Sequence, residues 1–153
     1  MSKLILLIGP PAAGKSTFAG KFLELTADVV YLNADSIRKE LYGNEDTQGD
    51  GSVVFGLLFS RLRQAVKDNK DILVDNTSVR KGHRKKILSM IHSDYEIFYK
   101  VFKTPLDVCL ARNAKRDRKV PEAVIRNFYK VLQEQDLESE TTNIEYLFGE
   151  VTE

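Results

Sequence analysis

The sequence predicts an α/β fold, a mostly parallel central sheet flanked by helices in three layers, and three observations predict it. Short continuous apolar runs alternate with longer stretches of helical apolar spacing. The first run, Leu4 to Ile8, ends directly in Gly9-Pro10-Pro11, so a strand gives way to a tight turn. No repeat, linker or low-complexity segment interrupts the alternation. Right-handed crossovers in such a fold gather the C-terminal strand ends on one edge, where ligand chemistry belongs.

In order, Leu4 to Ile8 reads as a strand buried on both faces, because no polar residue alternates within it. After Gly14, the spacing of Phe18, Phe22 and Leu23 predicts a helix. Val29 to Leu32 reads as the second strand and Asp35 to Leu41 as a helix; Asn44 to Gly51, polar and glycine-containing, reads as a mobile loop. Val53 to Val66 is helical by spacing, Ile72 to Val74 is a third buried strand, and Lys81 to Ile91 is amphipathic. Tyr95 to Phe102 is strand-like and Leu106 to Asn113 helical. Pro121 is placed to open the helix Glu122 to Gln133. Ile144 to Phe148 reads as either a last strand or a docked tail.

With 153 residues, 42% of them hydrophobic, the chain can bury one substantial core, and a single domain over residues 1–153 is expected. The lone Cys109 cannot form an intramolecular disulfide and, on a helix with Val108 and Leu110, reads as core. No apolar run approaches the roughly 20 residues that span a bilayer, and Leu4 to Ile8 lacks a small-residue cleavage site, so a cytoplasmic protein without membrane contact is expected. Net charge is +1, so a polyanion site has to come from local clustering. Two basic blocks stand out, Arg80 to Lys86 and Arg112 to Lys119, against an acidic tail over about 134–153; the first block reads equally as a solvated helix face. His83 and His92 have no Cys or His at ligand spacing, which argues against zinc. The aromatics Phe55, Phe59, Tyr95, Phe98 and Tyr99 can stack bases, but their spacing suits core positions.

Gly9-Pro10-Pro11-Ala12-Ala13-Gly14-Lys15-Ser16 fits G-x-x-x-x-G-K-[ST] between a strand and a helix, the context in which that motif binds phosphates. The glycines let backbone N–H groups curl toward phosphate oxygens, and the helix start adds its positive end. Lys15 is then expected to bridge the β- and γ-phosphates of ATP and Ser16 to ligate Mg²⁺. ATPases, GTPases and small kinases share this loop. The chain has neither an Asn-Lys-x-Asp guanine-reading signature nor the machinery of a motor, which favours a kinase. Asp35 and Arg38 share a helix face at the end of the second strand. They suit a general base beside a phosphate grip, and equally a helix N-cap beside an arginine that pairs with Glu40. Asp75-Asn76-Thr77 follows the third strand, where a polar group can serve metal or acceptor; Thr77 suits a phosphate contact or a cap for the helix starting near Arg80.

The chain resembles the 5′-kinase domain of phage-type and bacterial polynucleotide kinases, within the wider set of small P-loop kinases. The resemblance runs from Lys3 to about Gln133. It is carried by Gly9 to Thr17, Asn33-Ala34-Asp35-Ser36-Ile37-Arg38, Val74-Asp75-Asn76-Thr77, and Arg112-Asn113-Ala114-Lys115-Arg116 leading to Val120-Pro121 and Ile125-Arg126. The third segment departs from the family's Asp-x-Thr-Asn, with Ser78 where the asparagine would be. The resemblance implies a three-layer P-loop kinase fold with a helical lid at about 112–120, and transfer of the ATP γ-phosphate to the 5′-hydroxyl of DNA or RNA. It implies Asp35 as general base, Arg38 on the acceptor's 3′-phosphate, and Arg112 and Arg116 on the ATP phosphates. On a helix those two arginines would be i and i+4 and face the same way. Asp75 and Thr77 complete the expected acceptor side. Such kinases are often fused to a phosphatase or ligase, and no such domain fits after Gln133. The same scaffold serves kinases of small molecules, nucleosides and hydroxymethylated DNA bases, and a nucleotide-dependent switch without transferase activity remains a third reading. Homo-oligomerisation and a phage origin stay open.

Overall fold

The computed structural model describes residues 1–44 and 51–149. The loop expected at Asn44 to Gly51 falls largely outside them, as does the end of the acidic tail. Five parallel strands, β1 (Lys3–Ile8), β2 (Val29–Leu32), β3 (Asp71–Asp75), β4 (Glu96–Phe102) and β5 (Ile144–Leu147), form one sheet in the order β2-β3-β1-β4-β5. The helices are α1 (Lys15–Leu25), α2 (Ala34–Tyr42), α3 (Gly51–Lys67), α4 (Lys81–Leu88), α5 (Leu106–Ala114) and α6 (Glu122–Gln133), with a 3₁₀ turn at Leu137–Ser139. The last apolar run is thus a strand, hydrogen-bonded to β4 from Tyr99 to Phe102.

Each face of the sheet has its own core, which is why β1 is apolar without alternation. Leu4, Leu6 and Ile8 point to the face covered by α2, α3 and α4, against Ile37, Leu58 and Ile87. Ile5 and Leu7 point to the opposite face, against Ala19 of α1 and Cys109 of α5. Cys109 is fully buried and its thiol is pushed up by that burial, so it behaves as core.

One helix end falls short of the sequence reading, and the helical lid that the resemblance implies does not form beyond α5. α4 stops at Leu88 rather than Ile91 because the Ser89 hydroxyl donates to the Lys86 carbonyl and the chain closes in i+3 turns through Met90 and Ile91. α5 stops at Ala114, so Arg116 lies past its end and the expected helical i, i+4 pair of Arg112 and Arg116 does not form. The cause is Asn113. Its buried side chain donates to the Val120 carbonyl at 2.7 Å and accepts from the Val120 N–H at 2.9 Å, folding residues 115–120 back as a loop.

The C-terminal ends of β1, β2 and β3 share one edge, and the chain passes to opposite sides of β1 on its way to β3 and β4. A cleft opens there, as the crossover geometry requires.

Candidate active site

Between β1 and α1 the chain makes a loop that depends on two left-handed residues, Ala12 (φ 64°) and Gly14 (φ 105°). Neighbouring elements tie it down: the Gly9 N–H donates to the Thr77 carbonyl at 3.0 Å, and the buried Thr104 hydroxyl donates to the Ala13 carbonyl at 2.7 Å. Gly9 is needed for packing, since a Cβ there would lie 2.9 Å from Phe102 Cβ. Lys15 folds back over the loop, its Nζ donating to the carbonyls of Gly9 (2.8 Å) and Pro10 (2.7 Å). Burial lowers its pKa to about 8, against the opposing pull of Asp75.

Asp75, at the end of β3, is 2% exposed, and its Oδ2 accepts from the Tyr31 hydroxyl at 2.5 Å and the Ser16 hydroxyl at 3.4 Å. Burial raises its pKa, while the Tyr31 hydrogen bond and Lys15 hold the anion. Asp75 and Ser16 are hard oxygen donors side by side, which suits Mg²⁺ completed by phosphate oxygens and water.

On the far wall, Asn33 caps α2 by accepting the Ser36 N–H at 2.8 Å, and its Nδ2 reaches the Asp75 carbonyl. The Ala34 N–H donates to Asn76 Oδ1 at 3.0 Å, so both asparagines fasten α2 to the end of β3. Asp35 is thereby not the cap but a first-turn residue with its carboxylate 40% exposed. Arg38 pairs with it at 2.7 Å, whereas Glu40 pairs with Arg61 at 2.6 Å. Arg38 Nε is buried with no hydrogen-bond partner among the described residues. From the loop after α5, Arg118 reaches Asp35 Oδ2 at 3.6 Å. Arg112 lies on the opposite side, its Nη1 3.6 Å from where a Gly14 Cβ would stand. Arg116 is near enough to Lys15 to disfavour its proton, a smaller effect than burial. Thr77 lines the cleft, and Arg80, the residue before α4, gives that helix no side-chain cap.

One cavity of about 1570 Å³ joins these groups. Pro11 to Thr17 line it with Asp35, Arg38, Asp75, Thr77, Arg112 and Arg116, while Gly9 and Pro10 sit buried behind the loop. The described lining carries seven Lys and Arg (Lys15, Lys21, Arg38, Arg80, Arg112, Arg116 and Arg118) against two Asp. Three contributors were missed from sequence. Tyr31 carries no signal in an apolar strand, whereas Asn33 and Asn76 stood inside the motif segments without a role.

A family model for an AAA domain, AAA_33, matches residues 4–135. The chain belongs to the AAA_33 family. This AAA_33 protein has the P-loop kinase fold, which implies ATP binding by the loop just described. It is 30% identical over 140 residues, 83% of its length, to the L-seryl-tRNA(Sec) kinase of Methanococcus maripaludis. It spans 51% of that relative. In fold it matches a chain of the Pnkp1/Rnl/Hen1 RNA repair complex with a TM-score of 0.77 at 22% identity, covering 86% of this chain and 44% of that one. A gluconokinase from Sinorhizobium meliloti matches with a TM-score of 0.67 at 15% identity, covering 98% and 84%. Among the described residues, no helix is long and apolar enough to cross a membrane.

Proposed function

We propose that this protein transfers the γ-phosphate of ATP to the 5′-hydroxyl end of DNA or RNA. The observation that carries the reading is the charge of the cleft. Its described lining has five more cationic than anionic side chains. ATP with its metal neutralises about two of these. A neutral acceptor would leave the remainder facing one another across the cavity, whereas an acceptor that brings its own phosphates would offset them.

The chemistry follows from the placement. Lys15, released from the Gly9 and Pro10 carbonyls, holds the β- and γ-phosphates. Ser16 and Asp75 would hold Mg²⁺, which would supply positive charge to the transferring group. The Asp35 carboxylate takes the proton of the attacking hydroxyl as its oxygen bonds to the γ-phosphorus; the bond to the β-phosphate oxygen breaks and ADP leaves. Arg38 holds the acceptor phosphate next to that hydroxyl. Arg112 and Arg116 offset the charge that develops on the phosphoryl group.

A second reading keeps the transfer and changes the acceptor. The seryl-tRNA kinase relative and the gluconokinase-like fold favour a hydroxyl elsewhere, on an aminoacylated RNA or a small molecule. The deciding experiment offers γ-labelled ATP with DNA and RNA oligonucleotides bearing 5′-hydroxyl or 5′-phosphate ends, seryl-tRNA and a panel of sugars and nucleosides. Label on 5′-hydroxyl oligonucleotides alone supports the reading. Asp35→Asn should then lower turnover by about 10²–10⁴-fold while ATP still binds. Label only on seryl-tRNA or a small molecule selects the second reading; ATP binding with no transfer points to a switch.

A further inference from the structure

The basic block Arg80 to Lys86 is not a uniform solvated face. Arg84 is fully buried. It donates to the Ser78 and Val79 carbonyls at 3.0 and 2.8 Å, to Gln135 at 2.9 Å, and through two nitrogens to Glu140 at 2.9 and 2.8 Å. The Tyr99 hydroxyl adds a 2.8 Å bond to the same carboxylate. These bonds fix the start of α4 against the turn that follows Thr77. Arg80 precedes α4 in an extended conformation and His83 lies in its first turn, both exposed beside the buried Arg84. Both line the cavity, and neither side chain has a hydrogen bond or ion pair among the described residues.

α3 runs alongside. Both helices lead into parallel strands and so run the same way, with Lys86 Nζ lying 4.6 Å from the centroid of the Phe59 ring. His83 is one turn before Lys86, and Phe55, its ring centroid 6.2 Å from that of Phe59, is one turn before Phe59. Phe55 and His83 thus each stand one turn toward the sheet edge from the contact between Phe59 and Lys86. Phe55 also lines the cavity.

Resting on the proposed polynucleotide reading, we infer that Arg80, His83 and Phe55 form a second nucleotide position beyond Arg38, with Arg80 and His83 on a phosphate and Phe55 against a base. An aromatic ring beside a basic pair is the chemistry that tracks a single strand. The enzyme therefore prefers acceptors of two or more nucleotides to a nucleoside 3′-monophosphate.

The test measures kcat/KM for 5′-hydroxyl tetranucleotides of DNA and RNA and for nucleoside 3′-monophosphates, over a range of salt. Arg80→Ala with His83→Ala should lower the ratio of long to short acceptor about tenfold. It should also flatten the logarithmic salt dependence of that ratio by about 0.7 for each phosphate the variant no longer neutralises. Phe55→Leu, which keeps an apolar side chain, should lower the ratio by about fivefold or more, with little change in salt slope. Lys85→Ala, on the solvent face of the same helix, should leave ratio and slope alone. An unchanged ratio and slope in the double variant overturns the second position while the polynucleotide reading stands. Wild-type protein that labels no oligonucleotide overturns both.

Discussion

Lys15 supplies a prediction whose size follows from its surroundings. In the ligand-free protein its ammonium is buried beneath the loop and its pKa lies at about 8. When the side chain leaves the Gly9 and Pro10 carbonyls for phosphate, two or more anionic oxygens replace two neutral ones, and the proton is held throughout the neutral and mildly alkaline range. ATP binding should therefore take up about a tenth of a proton at pH 7, about half at pH 8 and about nine-tenths at pH 9. Affinity should fall with pH by matching slopes. The sign also fixes the stability of the free protein. The folded pKa lies below the unfolded value of 10.5, so the unfolded chain binds more protons between about pH 8 and 10.5, and stability rises with pH across that window. Titration calorimetry with a non-hydrolysable ATP analogue, in buffers of different ionisation enthalpy, reads the proton count directly. Tight binding at about pH 9 without proton uptake would refute the reasoning, since it would mean that the buried lysine is charged before the nucleotide arrives.

Two further outcomes follow from the same geometry. Arg84→Met should destabilise the fold by about 3–5 kcal/mol in denaturant unfolding, because it leaves the Glu140 carboxylate without its cation. Arg84 first of all, partly opposed by burial and then helped by the Tyr99 hydrogen bond, holds Glu140 below the usual carboxylate range. The stability it adds is thus present above about pH 4.5 and lost as pH falls further, and the gap between wild type and Glu140→Gln should close in acid. The loop after α5 should split by function. Arg112→Ala should raise the KM for ATP several-fold, and Arg118→Ala should act mainly on the acceptor, because Arg112 lies over Gly14 and Arg118 reaches Asp35. Equal effects of the two variants on both substrates would refute the division.

What the sequence disclosed, and what it withheld, follows the range of the interactions. β1, the loop to Ser16 and the helix Glu122 to Gln133 are set by local spacing and local turn residues, and they lie where the pattern places them. Asp35 reads from sequence as either a general base or a helix N-cap, and the cap falls instead to Asn33, whose side chain also reaches Asp75, 42 residues away. Arg84 was hidden in a charge run. Its place on the inner face is set by Glu140, 56 residues along the chain, and no local pattern marks one basic residue in six as the buried one. The lid arginines were read as a helical pair because R-x-x-x-R has helical spacing, yet the Asn113 side chain ends the helix between them by binding Val120.

The ended helix has a functional consequence. Had α5 continued through Arg116, Arg112 and Arg116 would lie on one side of it, both over the donor phosphates. Turned back by Asn113, the loop instead carries Arg116 to the vicinity of Lys15 and Arg118 to Asp35, so one short segment touches the donor side and the acceptor side together. Arg118 and Arg38 then flank the Asp35 carboxylate, the proposed general base. An acceptor hydroxyl approaching Asp35 has to enter between them, and a phosphate attached to that acceptor gives both guanidiniums an anion to hold as the proton moves onto the carboxylate. A neutral acceptor offers them no anion to hold. Under the proposed reading, the two guanidiniums beside Asp35 and the cationic lining of the whole cleft call for the same class of acceptor, one that carries phosphate.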